Sequence, residues 1–280
     1  MKNRRIVKIP FLIMICGLSL SVWAQRAVFK DTTSLVLAGS GSNLSITRLL
    51  AKAFMEQHPE IRVEVPASIG SSGGIKAVTE SAIDIGLVSR PLKSEESELG
   101  LTALPYARTA VVVGVHPTVT EDETTFEDLV NIYKGIKSSW KGGHQIIVLS
   151  REPGDSSILV LERGIPGFRE AYSESQQDRR WTTLFTDQQM NEVLAKTPFA
   201  IGISDLGTIL IEQLGIKVLN LNGVLPTVDT IRNGRYPLVK DLAFVYMKDK
   251  LSEGARAFLD FARSSQRTLI LKDNGYVPLE

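Results

Sequence analysis

The sequence predicts an α/β protein of two lobes, and three observations carry that prediction. Strand-like apolar runs alternate with helix-period segments from the start of the globular part, the alternation resumes in the middle of the chain, and two long apolar strands bracket that middle section. With 280 residues of which 43% are apolar, the chain can bury a sizeable core as one large domain or two ordinary lobes.

In order, "LVLAG" (35–39) reads as a strand and 44–57 as a helix. "IRVEVPA" (61–67) is the next strand, a helix follows Gly74, and "DIGLVS" (84–89) is a third strand. This β-α-β-α-β order implies a mostly parallel sheet with helices on its faces. "ARTAVVVGVHP" (107–117) is a long β-branched run, and "FEDLVNIYKG" (126–135) is a helix stopped by Gly135. "QIIVLS" (145–150), a helix after Ser156, a polar stretch over 173–180, a helix near 188–195 and "FAIGIS" (199–204) continue the series. "LAFVYMK" (242–248) is a late strand, and "EGARAFLDFARSS" (253–265) an amphipathic helix. No linker or low-complexity tract separates the halves, so the lobes should share an interface and a hinge.

The first residues have the layout of a secretory signal: Lys2, Arg4, Arg5 and Lys8, an apolar segment over 9–22, then Val22-Trp23-Ala24, with cleavage expected after Ala24. The apolar segment is shorter than the about 20 residues that span a bilayer. Cys16, the single cysteine, lies inside it, so the mature chain would have neither disulfide nor thiol chemistry. A chain exported without cysteines suits the periplasm. The 32 basic and 31 acidic residues give a net charge of +1, so no global field calls for nucleic acid or an anionic membrane. An anion would have to be caught locally.

Three places offer that: "AGSGSNLS" (38–45), "IGSSGGIK" (69–76) and "SREPGDSSI" (150–158). In each, a strand ends, a Gly/Ser/Asn/Asp cluster follows and a helix begins, which in an open α/β sheet is where ligands bind. A helix's first turn has unpaired N–H groups and the positive end of its dipole, glycine admits close approach, and serine adds rotatable donors. Any one cluster alone is also what an ordinary N-cap looks like. Arg151 beside 154–157 could make a bidentate contact to phosphate or carboxylate, and Arg90 in "VSRPL" also follows a strand, where a surface ion pair is the alternative. Catalysis finds no constellation. His58, His116 and His144 sit in loop contexts, no nucleophile elbow or His-Glu-x-x-His motif occurs, and Asp84, Asp155 and Asp205 are explained by capping and turns. No metal or cofactor is expected.

From about Leu35 to Leu279, these segments in this order resemble the phosphate-binding proteins of bacterial phosphate ABC transporters, members of the type II periplasmic-binding-protein superfamily. The resemblance rests on the two serine/glycine grips, "DIGLVSRPL", "TTFEDLVNIYKGIKSSWKGGHQIIVLSREPGDSS", "FAIGISDLG", "YPLVKDLAFVYMK" and "ARAFLDFARSSQRTLILKDNGYVPL". It implies two lobes, 33–112 plus 243–280 and 113–242, joined by two hinge crossings and closing on an oxyanion, most simply inorganic phosphate. It further implies a monomer without metal that presents its ligand to membrane permease subunits. Residue by residue, it places Asn43, the N–H of Leu44, Ser71 with Ser72, Arg151, and Asp155, Ser156 and Ser157 at the ligand. Arg90 stands where the best-known members have an aspartate that accepts the proton of phosphate, which leaves sulfate, molybdate or tungstate, or a phosphorylated small molecule, open as ligand. Asp155 is the candidate for the missing acceptor, with Arg90 adding charge. A sensor or surface-interaction protein using the same fold is the alternative function.

Overall fold

The computed structural model describes residues 33–279; the signal segment and its cleavage site lie outside them. The first part runs β1 (Thr33–Gly39), α1 (Gly41–Gln57), β2 (Ile61–Glu64), α2 (Gly70–Thr79), β3 (Ile85–Val88), the single turn α3 (Ser94–Ser97) and β4 (Leu101–Val115). The middle runs β5 (Glu123–Thr124), α4 (Phe126–Tyr133), β6 (Ile147–Arg151), α5 (Ser156–Gly164), α6 (Phe168–Gln177), β7 (Thr182–Leu184), α7 (Asp187–Lys196) and β8 (Ala200–Asp205). Then come α8 (Leu206–Glu212), β9 (Lys217–Val218), β10 (Asn220–Leu221), α9 (Val228–Arg232), β11 (Val239–Met247), α10 (Glu253–Phe261), α11 (Ser265–Asp273) and β12 (Val277–Pro278).

One hydrogen-bonded path, β2-β1-β3-β11-β4-β8-β6-β7, runs through both halves of the described residues, with β9 and β12 added beside β4 and β5 paired separately with β10. Its two ends are parallel, as β-α-β order requires, since β1 pairs with β2 and β3, and β6 with β7 and β8. Its centre is antiparallel. β11 pairs with β3 on one side and β4 on the other, slipping register between Leu242 and Ala243, and β4 continues past it to pair Val111–Val115 with β8. The sheets expected on either side are thus continuous through two long strands.

Burial divides along the same strands. Leu35, Leu37, Leu50, Phe54, Ile85, Leu87, Tyr106, Phe244, Phe258 and Tyr276 belong to one apolar cluster. Val112, Val113, Leu129, Ile158, Leu161, Phe168, Leu194, Ile201 and Leu238 belong to the other. Both faces of β4 from Ala110 to Val115 are covered, which explains why this stretch holds four valines and no polar residue, and each buried valine contributes about 1.5–3 kcal/mol of burial. The amphipathic period of α10 sets Phe258 edge-on against Phe54 and Phe244 at 5.3 and 5.5 Å, while Ser252 caps the helix by accepting from the Ala255 N–H. No described helix is long and apolar enough to cross a membrane.

Candidate functional site

A cavity of about 530 Å³ opens where three helices begin, lined by Ser40 and Gly41 of α1, Gly70–Gly73 of α2, and Asp155 and Ser156 of α5. Each helix follows a strand that ends there, so their unpaired N–H groups and positive dipole ends face one space. Beneath it the hydroxyls form a chain. Ser40 and Ser89 lie 2.7 Å apart, Ser89 donates to Ser156 at 2.8 Å, and the Ser89 N–H donates to Ser71 Oγ at 3.3 Å.

Arg151, at the end of β6, is 4% exposed and lines this cavity. Its Nη2 donates to Asp155 Oδ2 at 2.7 Å, but Nε and Nη1 are buried with no hydrogen-bond partner among the described residues. Burial opposes its charge, yet Asp187 and Asp155 outweigh that and hold the guanidinium above its ordinary value. A permanently charged fork with two unused donors can grip an oxyanion.

Sequence reasoning brought Ser71, Ser72, Arg90, Arg151, Asp155 and Ser156 to the cavity wall. The side chains of Asn43 and Ser157 point elsewhere. α1 begins three residues earlier than its apolar period suggests, so Asn43 and Leu44 fall inside its first turn and are fully buried. The Asn43 amide donates to the Val88 carbonyl at 3.3 Å and the Tyr106 hydroxyl at 3.2 Å, away from the cavity. At this helix start it is Ser40 and Gly41 that border the space. Ser157 is also turned inward, its hydroxyl accepting from Lys240 at 2.8 Å.

Arg90 and Asp155 have other engagements than those expected. Glu96 reaches back to grip Arg90 through both oxygens at 2.7 Å, and Arg90 also donates to Ser72 at 3.0 Å. That bond holds the Glu96 carboxyl below its ordinary range and offsets the charge Arg90 would add. Asp155 caps α5, Oδ1 accepting from the Ser157 and Ile158 N–H groups at 3.0 and 3.3 Å, while Oδ2 takes Arg151. Oδ2 holds a single hydrogen bond among the described residues, so Asp155 keeps acceptor capacity at the cavity wall. Asp84 is remote from these groups in role, accepting from the Val36 N–H at 2.8 Å.

Two residues that sequence reasoning passed over complete the centre. Lys240 of β11 is 5% exposed; its ammonium lies 2.7 Å from Asp205 Oδ1, and donates at 2.7 Å to Ser42 of α1 and at 2.8 Å to Ser157 of α5. It fastens two of the helix starts together from below. Asp187 opens α7 and lines the cavity, with Oδ1 accepting from Ser42 at 3.4 Å and lying 3.8 Å from Arg151 Nη1. Its Oδ2 lies over Gly41, where any Cβ would approach to 2.3 Å. Burial raises its carboxyl, Arg151 and Lys240 pull against that, Asp155 and Asp205 add to it, and the result is about 6. A lysine interrupting an apolar strand and the Thr186-Asp187 helix start were the available signals.

The profile of the PBP superfamily domain matches residues 27–266. The chain belongs to that superfamily. It is 26% identical over 258 residues to the phosphate-binding protein PstS of Bacillus subtilis, an alignment covering 89% of this chain and 82% of that protein. Among solved structures it is similar to a candidate phosphate ABC transporter substrate-binding protein from Clostridium perfringens with bound phosphate. The TM-score is 0.79 at 23% identity, covering 89% of this chain and 100% of that one. It also resembles an ABC-type phosphate transport receptor from Vibrio cholerae, with TM-score 0.63, 22% identity, and coverage of 87% and 99%. These two likenesses carry the mixed α/β architecture of the superfamily.

Proposed function

We propose that this member of the superfamily captures inorganic phosphate in the cavity at the three helix starts and delivers it to the permease of an ABC transporter. The observation that carries the reading is Arg151, buried, charged and with two N–H donors unused beside converging helix N-termini. The PstS relative and the phosphate-bound neighbour support the choice of ligand. Capture works by population shift: an open form admits the anion, and contacts from α1 and α2 on one lobe and β6 and α5 on the other favour closure about β4 and β11. The lobes are 33–112 plus 243–280 and 113–242. No covalent step is involved, the protein acts as a monomer, and its place is the periplasm after removal of the signal segment.

Calorimetric titration of the purified, anion-stripped protein tests this. Micromolar or tighter phosphate binding is expected. Arg151→Lys, which keeps the charge and loses the fork, should weaken it roughly 10- to 100-fold, as for the loss of one charged hydrogen bond. Unaltered affinity in that variant, or no phosphate binding by the parent, would refute the reading.

One observation favours a second ligand. A tetrahedral anion fills roughly the space of two or three waters at about 30 Å³ each, far less than about 530 Å³, and Ile69 and Phe185 line the cavity while 49% and 61% exposed. A phosphate ester whose organic part lies against them would use that room, and competition of glycerol phosphate against inorganic phosphate decides between the two.

A further inference from the structure

Of the three cations buried among the described residues, Arg151 and Lys240 each have a carboxylate beside them at 2.7 Å, and Arg267 has none. Arg267, on α11, is 6% exposed. Its Nη1 donates to the carbonyls of Tyr106 and Leu279 at 3.0 and 3.1 Å, its Nε is buried with no hydrogen-bond partner, and its Nη2 bonds to no described residue. Burial holds the guanidinium below its ordinary value, with no neighbouring carboxylate to oppose it. Two neutral carbonyls leave the charge itself unanswered, and a cation taken out of water is ordinarily paired.

Arg267 stands between two cavities of about 330 and 360 Å³ that share it, Thr268 and Leu279 as a common wall. The first also has Arg263 and the start of α11 at Ser264 and Ser265, and the second has Arg232 of α9 and Lys272 of α11. No described acidic residue lines either one. Arg263 and Arg232 have surface partners alone, Asp260 at 3.5 Å and Asp229 at 3.2 Å, and such exposed pairs offset little charge. The remaining walls are apolar, from Leu104, Pro105 and Ala262 on one side and Val277 and Pro278 on the other.

The free edge of Arg267, Nε with Nη2, is the edge that Arg108 of the same chain gives to a carboxylate: Arg108 Nε and Nη2 donate to the two oxygens of Asp241 at 2.6 and 3.0 Å. We infer that Arg267 is the centre of a second anion site, apart from the helix-start cavity, and that the site takes a small organic polycarboxylate. One carboxylate meets Arg267, a second reaches Arg232 and Lys272, and the carbon skeleton lies against the apolar walls. An inorganic oxyanion brings the charge but has no carbon to lay there. Nε is closed to water, so the ligand meets Nη2 first, and the fork is completed as the Leu279 wall yields. None of these residues lines the cavity of Arg151, so the inference does not depend on the phosphate reading.

The test is calorimetric titration of the purified protein with citrate near neutral pH, with sulfate at matched ionic strength as the control for charge alone. Citrate should bind with a Kd below about 1 mM, and sulfate about tenfold more weakly or worse. Arg232→Gln/Lys272→Gln, changed at exposed positions, should weaken citrate roughly 3- to 30-fold, as for two partly screened charge contacts, and leave phosphate binding at the parent's value. Arg267→Gln, which keeps a donor for the two carbonyls, should lose citrate binding, and the double variant decides where Arg267→Gln fails to fold. No citrate binding by the parent overturns the inference, as does sulfate binding equal to that of citrate, or a double variant within about twofold of the parent. Citrate binding that Arg151→Lys abolishes and the double variant spares belongs to the helix-start cavity and overturns it too. Glu280 follows Leu279 in the sequence, and citrate binding that appears only with Glu280→Gln would mean that the chain supplies its own carboxylate, which also counts against an external ligand. A parent that binds citrate but no phosphate upholds this site and sinks the phosphate reading alone.

Discussion

Lys240→Met removes the ammonium that joins α1, α5 and β8 while keeping a side chain of similar length in the same slot. Lys240 and Asp205 side chains are each 2% exposed, so the substitution leaves a carboxylate buried without its counter-charge. Breaking such a pair from one side costs about 3–5 kcal/mol. The donors lost to Ser42 and Ser157 add on the order of 1 kcal/mol each, less whatever the hydroxyls regain by rotating to other partners. Against a total stability of about 5–15 kcal/mol, that is a large fraction. Urea unfolding should show a midpoint lowered in proportion. The companion variant Lys240→Met/Asp205→Asn removes both charges and should recover most of the loss, giving a coupling of about 2–4 kcal/mol in the double-mutant cycle. A single variant costing under about 1 kcal/mol, or a double variant equal to the sum of its singles, would refute the claim that this ion pair holds the centre together.

Two further perturbations address the contact above it. Gly41→Ala would set a Cβ 2.3 Å from Asp187 Oδ2 and 3.0 Å from its Cβ and Cγ, so the Asp187 side chain must swing aside or the starts of α1 and α7 separate; a stability loss of about 1–3 kcal/mol and weaker phosphate binding are expected, and a variant unchanged in both melting and titration would contradict the apposition. Asp187 also makes stability depend on pH. Its carboxyl is lifted from 3.8 to about 6 in the folded protein, so the stabilisation from its protonation is fully present below about 3.8 and is lost as pH rises through about 6. The penalty above that range is of the order of 3 kcal/mol. In anion-free protein, Asp187→Asn should therefore stabilise more at pH 8 than at pH 5, and equal effects at both would count against the raised proton affinity.

The alternation of elements was legible because strand and helix periods differ and Gly, Ser and Asn clusters punctuate them, so β1 to β3, β4, β6, β8 and β11 all fall close to their expected places. Arg151, Ser71 and Ser156 were legible for the same reason, being fixed by local strand-turn-helix geometry. What was not legible depends on contacts between distant segments. Gly41-Ser42-Asn43 reads as a turn, and only the proximity of Tyr106 and Val88 shows why Asn43 faces inward within a helix. Glu96 sits in the run Ser94-Glu95-Glu96-Ser97, which looks like a solvated surface until the bend at Ser89-Arg90 lets it fold back onto Arg90. Lys240 and Asp187 are ordinary by spacing, and their roles come from partners on other strands and helices.

The pairing of β11 with β3 and β4 has a consequence for how the chain is made. The cluster begun by Leu35 is completed by Leu242, Phe244, Phe258, Leu271 and Tyr276, after the other cluster has been supplied in between. Emerging from a ribosome at about 5–20 residues per second, the apolar faces of β1 and α1 wait roughly 10–40 s for the strand and helices that cover them. During that interval they are exposed, with an unpaired β3 edge beside them. The long sequence separation of β4 from β11 further slows their meeting once both exist. The nascent chain thus depends on whatever shields apolar segments until its last residues arrive, and a chain kept from collapsing early is also one that can still be threaded through a pore.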